Sequence, residues 1–138
     1  MDAAAYALSV PDLLYKVIAL LERSPSRSKL TFHFEEAQLP VRESTSLALI
    51  TSELSDNAFK HGKGAVEVTF TVVQDRATLE ICDDGPGFVK GFNPREQAFT
   101  GLHFVEDLTR HDLGGEVRYE NRPDGGARVA VSLPYRMN

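Results

Sequence analysis

The stretch ITSELSDNAFKHG, residues 50–62, places Glu53, Asn57 and His61 four positions apart. In a helix that spacing lines them along one face, with Lys60 at its border. Asn57 stands between Leu54 and Ala58, in the middle of an amphipathic segment where propensity disfavours an amide. Its side-chain oxygen could ligate Mg²⁺, a hard cation that takes oxygen ligands and phosphates. Lys60 could then meet a phosphate as a point charge. Taken alone, the stretch reads equally well as an exposed polar stripe.

A second group is ICDDGPGF, residues 81–88. Asp83 follows an alternating apolar segment, and Gly85 and Gly87 permit backbone angles that a side chain would forbid. Pro86 between them stiffens the turn. A carboxylate fixed there could accept a hydrogen bond from an exocyclic amine such as adenine N6; a plain Gly-Pro turn with a solvated acid is the simpler reading. In FTGLHFVEDL, residues 99–108, a glycine opens a helix. The free N–H groups and dipole of such a start attract phosphate, and Thr100 could cap it. Gly125-Gly126 in PDGGARVAVSLP reads as a hairpin turn.

The elements that must hold these groups follow from periodicity. Leu13, Leu14, Val17, Ile18 and Leu21 form a stripe that predicts a helix over residues 10–22, with Pro11 in its first turn. Residues 30–34 alternate as a short strand. A second helix is predicted over 42–60, ended by His61-Gly62-Lys63-Gly64, where glycine supplies the positive φ of a C-terminal cap. Strands over 66–72 and 78–81, around a turn at 74–76, each have one apolar face. Residues 83–100 carry turn residues and little periodicity. A third helix is predicted over 101–111 and two last strands over 117–120 and 128–133. Five half-buried strands and three amphipathic helices predict a two-layer α/β sandwich, the helices covering one face of the sheet.

The 138 residues, 42% hydrophobic and 25% charged, suit one soluble domain, residues 1–138. The net charge of −5 offers no basic excess for nucleic acid. The single cysteine, Cys82, precludes an intrachain disulfide, so a reducing cytoplasm is expected. No apolar run approaches the ~18 residues of a membrane span, and no basic n-region marks a signal peptide, so no direct membrane contact is expected. His33, His61, His103 and His111 lack metal-ligand spacing with Cys82. None is expected to be a phosphoacceptor, and Cys82 reads as a small packed residue.

Taken in order, an Asn helix, a strand ending in Asp-x-Gly-x-Gly, a loop, a Thr-Gly helix start and a Gly-Gly hairpin resemble the Bergerat-fold (GHKL) ATPases shared by gyrase, MutL and histidine kinases. The chain looks most like the catalytic, ATP-binding domain of histidine kinases, over nearly its whole length. The resemblance implies a five-stranded mixed sheet and a bound Mg-ATP. Asn57 would coordinate the Mg²⁺. Glu53 would be catalytic, orienting or activating the attacking group. Lys60 and His61 would line the phosphate side. Asp83 would hold the adenine amine, with Gly85, Gly87 and Phe88 shaping the pocket. Residues of about 88–100 would form an ATP lid, with Thr100, Gly101 and Leu102 beside the phosphates.

Two departures stand out. Many members have Gly-x-Gly-Leu-Gly where this chain has Phe99, Gly101 and His103, and Ala127 stands where threonine is common. The expected function is transfer of the γ-phosphate of ATP to a histidine on a separate dimerisation domain, in cis or trans, and thence to a response regulator. The first predicted helix begins near residue 10, so the acceptor is expected elsewhere. An anti-sigma-factor-type serine kinase shares the Asn helix and the glycine turn. The strand at 30–34, between the first two helices, favours the histidine-kinase reading. A nucleotide-binding interaction module without catalysis is the third alternative.

Overall fold

The computed structural model describes residues 7–23, 29–62, 64–93 and 100–136. The lid expected at about 88–100 is therefore described only in part, and its residues 94–99 lie outside the described residues, as does the stop expected at Ser24, Pro25 and Ser26. The elements run β1 (Ala7–Ser9), α1 (Val10–Leu21), β2 (Lys29–Phe34), β3 (Gln38–Pro40), α2 (Val41–His61), β4 (Ala65–Val73), β5 (Arg76–Asp83), α3 (Thr100–Leu108), a π-helical turn (Thr109–Leu113), β6 (Glu116–Asn121) and β7 (Ala127–Pro134).

Five strands form one mixed sheet in the order β2-β4-β5-β7-β6. β2 runs parallel to β4 and every other pair is antiparallel. The predicted sandwich is what forms. Leu14 and Ile18 of α1, Leu47, Ile50 and Leu54 of α2, and Val105 of α3 are buried in one cluster with Val68, Phe70, Leu79, Ile81, Val131 and Leu133 of the sheet. Each such side chain stabilises the fold by roughly 1.5–3 kcal/mol relative to exposure.

The small pair β1–β3 was not predicted. Three-residue strands are too short to show a period. The pair matters because Ser9, which closes β1, caps α1: its Oγ accepts the Asp12 N–H at 3.4 Å.

Gly62 ends α2 in extended backbone, φ −84°, ψ −179°, and the positive φ expected of this glycine-bearing stop is found at Gly64, φ +121°. Gly62 has no room for a side chain, since a Cβ there would lie 2.8 Å from the Ala58 carbonyl oxygen and 3.2 Å from Asp83 Cβ. Two local expectations are corrected. The turn between β4 and β5 is shorter than predicted, because Arg76 already pairs with Val73. The third helix stops being α-helical at Leu108 and widens into the π-helical turn. That turn brings Asp112 back onto α2, where Ser46 Oγ donates to it at 2.6 Å and Arg42 at 2.9 Å. These two donors hold the Asp112 carboxyl below its ordinary value of 3.8, the Ser46 hydroxyl contributing most.

Strand register decides what meets at the site. Asp83 pairs with Val66 across β4–β5, so the end of β5 returns to where α2 hands over to β4. Cys82 pairs with Arg128 across β5–β7, which sets Ala127 beside Asp83. Cys82 itself alternates onto the sheet face away from the helices. It is buried beside Arg128, and burial pushes its thiol up, as suits an unreactive packed residue.

Candidate functional site

α2 descends onto the end of β5, and between them opens a cavity of about 400 Å³. Asn57, His61, Asp83, Gly87, Phe88 and Leu102 line it, together with the apolar side chains of Leu54, Ile81, Val89, Phe92 and Val129. A largely apolar slot with a few polar groups is the usual build of a small-molecule site.

Asp83 is buried at 7% exposure and fixed by the backbone around it. Its Oδ1 accepts the N–H of Gly85 at 2.9 Å and of Ala127 at 3.3 Å. No partner for its second oxygen is found among the described residues, and that oxygen is available to a ligand amine. The carbonyl of Asp83 accepts from Arg122 at 3.1 Å. Gly126, at φ +96°, packs directly over the same carbonyl, where a Cβ would collide with it. The Gly-Gly hairpin thus does more than turn the chain: it seats the carboxylate. Ala127 makes its contact through the backbone, so the hydroxyl of a threonine is not required for it.

Asn57 lines the same cavity, with a buried Nδ2 that has no hydrogen-bond partner among the described residues. A half-turn of the amide would present its oxygen instead. A buried amide without a partner among the described residues, set in the lining of an apolar slot, fits a ligand of an oxygen-seeking cation. Among the described residues no three His, Cys, Asp or Glu side chains cluster as a metal cage. Mg²⁺ held by Asn57 would therefore draw its remaining ligands from phosphate and water, its usual habit.

Glu53, Lys60, Gly85 and Gly101 are not among the residues that line this cavity. Glu53, one turn before Asn57, packs its carboxylate against Gly101 so closely that a Cβ on Gly101 would collide with it. Lys60 is exposed. Gly85 is buried and abuts the His61 carbonyl, which excludes any side chain there. Thr100 opens α3, and its side chain is outside the described residues. Sequence reasoning missed Asn121 and Arg122, which hold the glycine turn from the end of β6, and it missed Phe92. The Phe88 ring stacks on Phe92 at 4.5 Å, and both meet Tyr119 edge-on at 5.8 and 5.7 Å. His33 is exposed on β2, and His103 faces Asp107 at 3.9 Å on α3, so neither approaches the cavity lining.

The profile of the histidine kinase-, DNA gyrase B- and HSP90-like ATPases matches residues 42–137. The chain belongs to this ATPase family. Among curated relatives of this ATPase domain, a probable sensor histidine kinase HK of Mycobacterium tuberculosis is 28% identical over 145 residues, covering 95% of this chain and 38% of that protein. Sensor histidine kinase component HK1 of the same species is 33% identical over 102 residues, covering 64% and 60%. The ATPase domain thus spans less than two thirds of either relative. Among solved structures, the ATP-binding domain of PrrB from Mycobacterium tuberculosis superposes with a TM-score of 0.79 at 24% identity, covering 95% of this chain and 97% of that one. The blue-light activated histidine kinase EL346 of Erythrobacter litoralis gives 0.81 at 20% identity, covering 92% and 42%. These likenesses establish the ATPase fold. No described helix of the domain is long and apolar enough to cross a membrane.

Proposed function

We propose that the chain is the Mg-ATP-binding catalytic domain of a sensor histidine kinase, working in the cytoplasm. The observation that carries this reading is that Asn57 and Asp83 line one cavity. Its apolar lining matches a purine, its buried carboxylate matches an exocyclic amine, and its unpartnered amide matches a metal-bound phosphate. The relatives named as sensor histidine kinases support the same reading.

In this account Asp83 accepts the adenine amine, and Gly85, Gly87 and Phe88 shape the pocket around the base. Asn57 holds the Mg²⁺, whose charge would offset that of the phosphates. Lys60, His61, Thr100, Gly101 and Leu102 border the phosphates. Glu53 takes the proton from an incoming imidazole as its nitrogen bonds the γ-phosphorus and the bridging oxygen leaves with ADP. The imidazole comes from a dimerisation domain in cis or trans, and a response regulator receives the phosphoryl group next.

The test is titration with ADP and ATP, with and without Mg²⁺, followed by incubation of Mg-ATP with a histidine-bearing dimerisation domain. The reading expects Mg-dependent ATP binding and an acid-labile phosphohistidine. Phosphoserine on a protein substrate would support the anti-sigma-factor-type kinase instead. Tight nucleotide binding with no transfer would support the interaction module.

A further inference from the structure

Phe88 lines the cavity, yet it lies beyond the end of β5 and belongs to no strand. Its backbone is held by a side chain instead. Asn121 Oδ1 accepts the Phe88 N–H at 2.6 Å, and Asn121 Nδ2 donates to the Phe88 carbonyl at 3.2 Å. One primary amide satisfies both polar groups of one residue, as a residue in an opposing antiparallel strand would. A carboxylate offers acceptors only and a hydroxyl a single atom, so neither can reproduce this pairing.

The approach depends on Gly87. That residue takes φ +83°, and a Cβ on it would lie 2.5 Å from Asn121 Oδ1. Asn121 is anchored in turn. It closes β6 opposite Ala127 of β7, and its neighbour Arg122 binds the Asp83 carbonyl at 3.1 Å. One end of one hairpin therefore grips both Asp83 and Phe88. Asn121 is not among the residues lining the cavity.

We propose that Asn121 is a positioning residue: it splints the peptide of Phe88 and so sets the aromatic wall against which a nucleobase lies. This rests on the nucleotide-binding reading of the cavity above.

The test combines amide hydrogen exchange without nucleotide and ADP titration, on the wild type, Asn121→Ala, Asn121→Asp, Phe88→Ala and the double variant Asn121→Ala/Phe88→Ala. Asn121→Asp keeps the size and the acceptor but loses the donor, and serves if the alanine variant does not fold. The Phe88 amide is expected to be protected in the wild type and to exchange at least roughly tenfold faster in Asn121→Ala, where its acceptor is gone, while Asn121→Asp, which keeps that acceptor, keeps the protection; ADP affinity is expected to fall about tenfold in both. The double variant is expected to bind ADP no worse than Phe88→Ala, because Asn121 acts only through Phe88. A purely structural role would add the two losses. Unchanged Phe88 exchange in Asn121→Ala, unchanged ADP affinity in either Asn121 variant, or additive losses would each overturn the proposal. If the wild type bound no ADP, the nucleotide reading would fall, while the exchange arm would still decide whether the splint exists.

Discussion

Ala127 donates its backbone N–H to Asp83 Oδ1 at 3.3 Å, across 44 positions of sequence. With the Gly85 N–H on the same oxygen, this contact orients the carboxylate before any ligand arrives. Preorganisation of this kind lowers the ordering cost of binding.

Replacing Asp83 should therefore have two separable effects. Asp83→Ala leaves two buried N–H groups without their acceptor, which costs about 1–3 kcal/mol of stability. It also removes the partner of the adenine amine, so ADP affinity should fall about 10- to 100-fold. Urea denaturation reads the first effect and calorimetric titration the second. Guanosine nucleotides present a carbonyl oxygen where adenine presents its amine, so the wild type should prefer ADP to GDP and the variant should not.

Gly126→Ala should be far more damaging than an exposed hairpin substitution usually is. A side chain there meets the Asp83 carbonyl, and the backbone sits at φ +96°. Backbone strain and the displaced turn together should cost about 2–4 kcal/mol in urea denaturation. ADP affinity should drop with it, because Asp83 moves.

Gly101→Ala should act on chemistry more than on binding. The new methyl would occupy the space of the Glu53 carboxylate and push that side chain off its position. If Glu53 takes the imidazole proton, phosphotransfer should slow by about a hundredfold or more, with ADP affinity within a factor of about two of wild type. Single-turnover transfer from labelled Mg-ATP to a dimerisation domain measures it. Loss of ADP binding with unchanged transfer per bound nucleotide would contradict the role given to Glu53.

The tie between Asp112 and α2 should show in acid. The Asp112 carboxyl is held below its ordinary value of 3.8 by the Ser46 hydroxyl and by Arg42. A group whose folded value is depressed contributes stability that is fully present above the unfolded value and is lost as pH falls through the folded one. Wild type should thus melt higher than Ser46→Ala at pH 6, and the gap should narrow as pH drops below 3.8. A gap that stayed constant to the acid limit would show that Ser46 stabilises by packing alone.

The parts of the fold legible in the sequence are those with long periods. α2 declares itself through Leu47, Ile50, Leu54 and Ala58, all buried, and β4 through the alternation of Val66, Val68 and Phe70. Segments as short as β1 and β3 carry no period, and the π-helical turn depends on Asp112 reaching Ser46 across 66 positions. The site divides in the same way. Asn57 and Asp83 betray themselves locally, as an amide among apolar residues and an acid before a glycine turn. Asn121 does not: nothing beside it in the chain announces that its amide will pair with Phe88, 33 positions away. Gly62 is constrained by the Ala58 carbonyl and by Asp83 on another element and not by its own backbone angle, and the part played by Asp83 is equally hidden in the sequence.

The central claim is that Asn57 and Asp83 bind opposite ends of one nucleotide, and ATP titration of the two alanine variants with and without Mg²⁺ tests it most directly. The account predicts that Mg²⁺ strengthens binding to the wild type, that Asn57→Ala loses this dependence while remaining folded, and that Asp83→Ala binds weakly whether or not the metal is present. Asn57→Ala that bound Mg-ATP like the wild type, or Asp83→Ala with unchanged affinity, would contradict it.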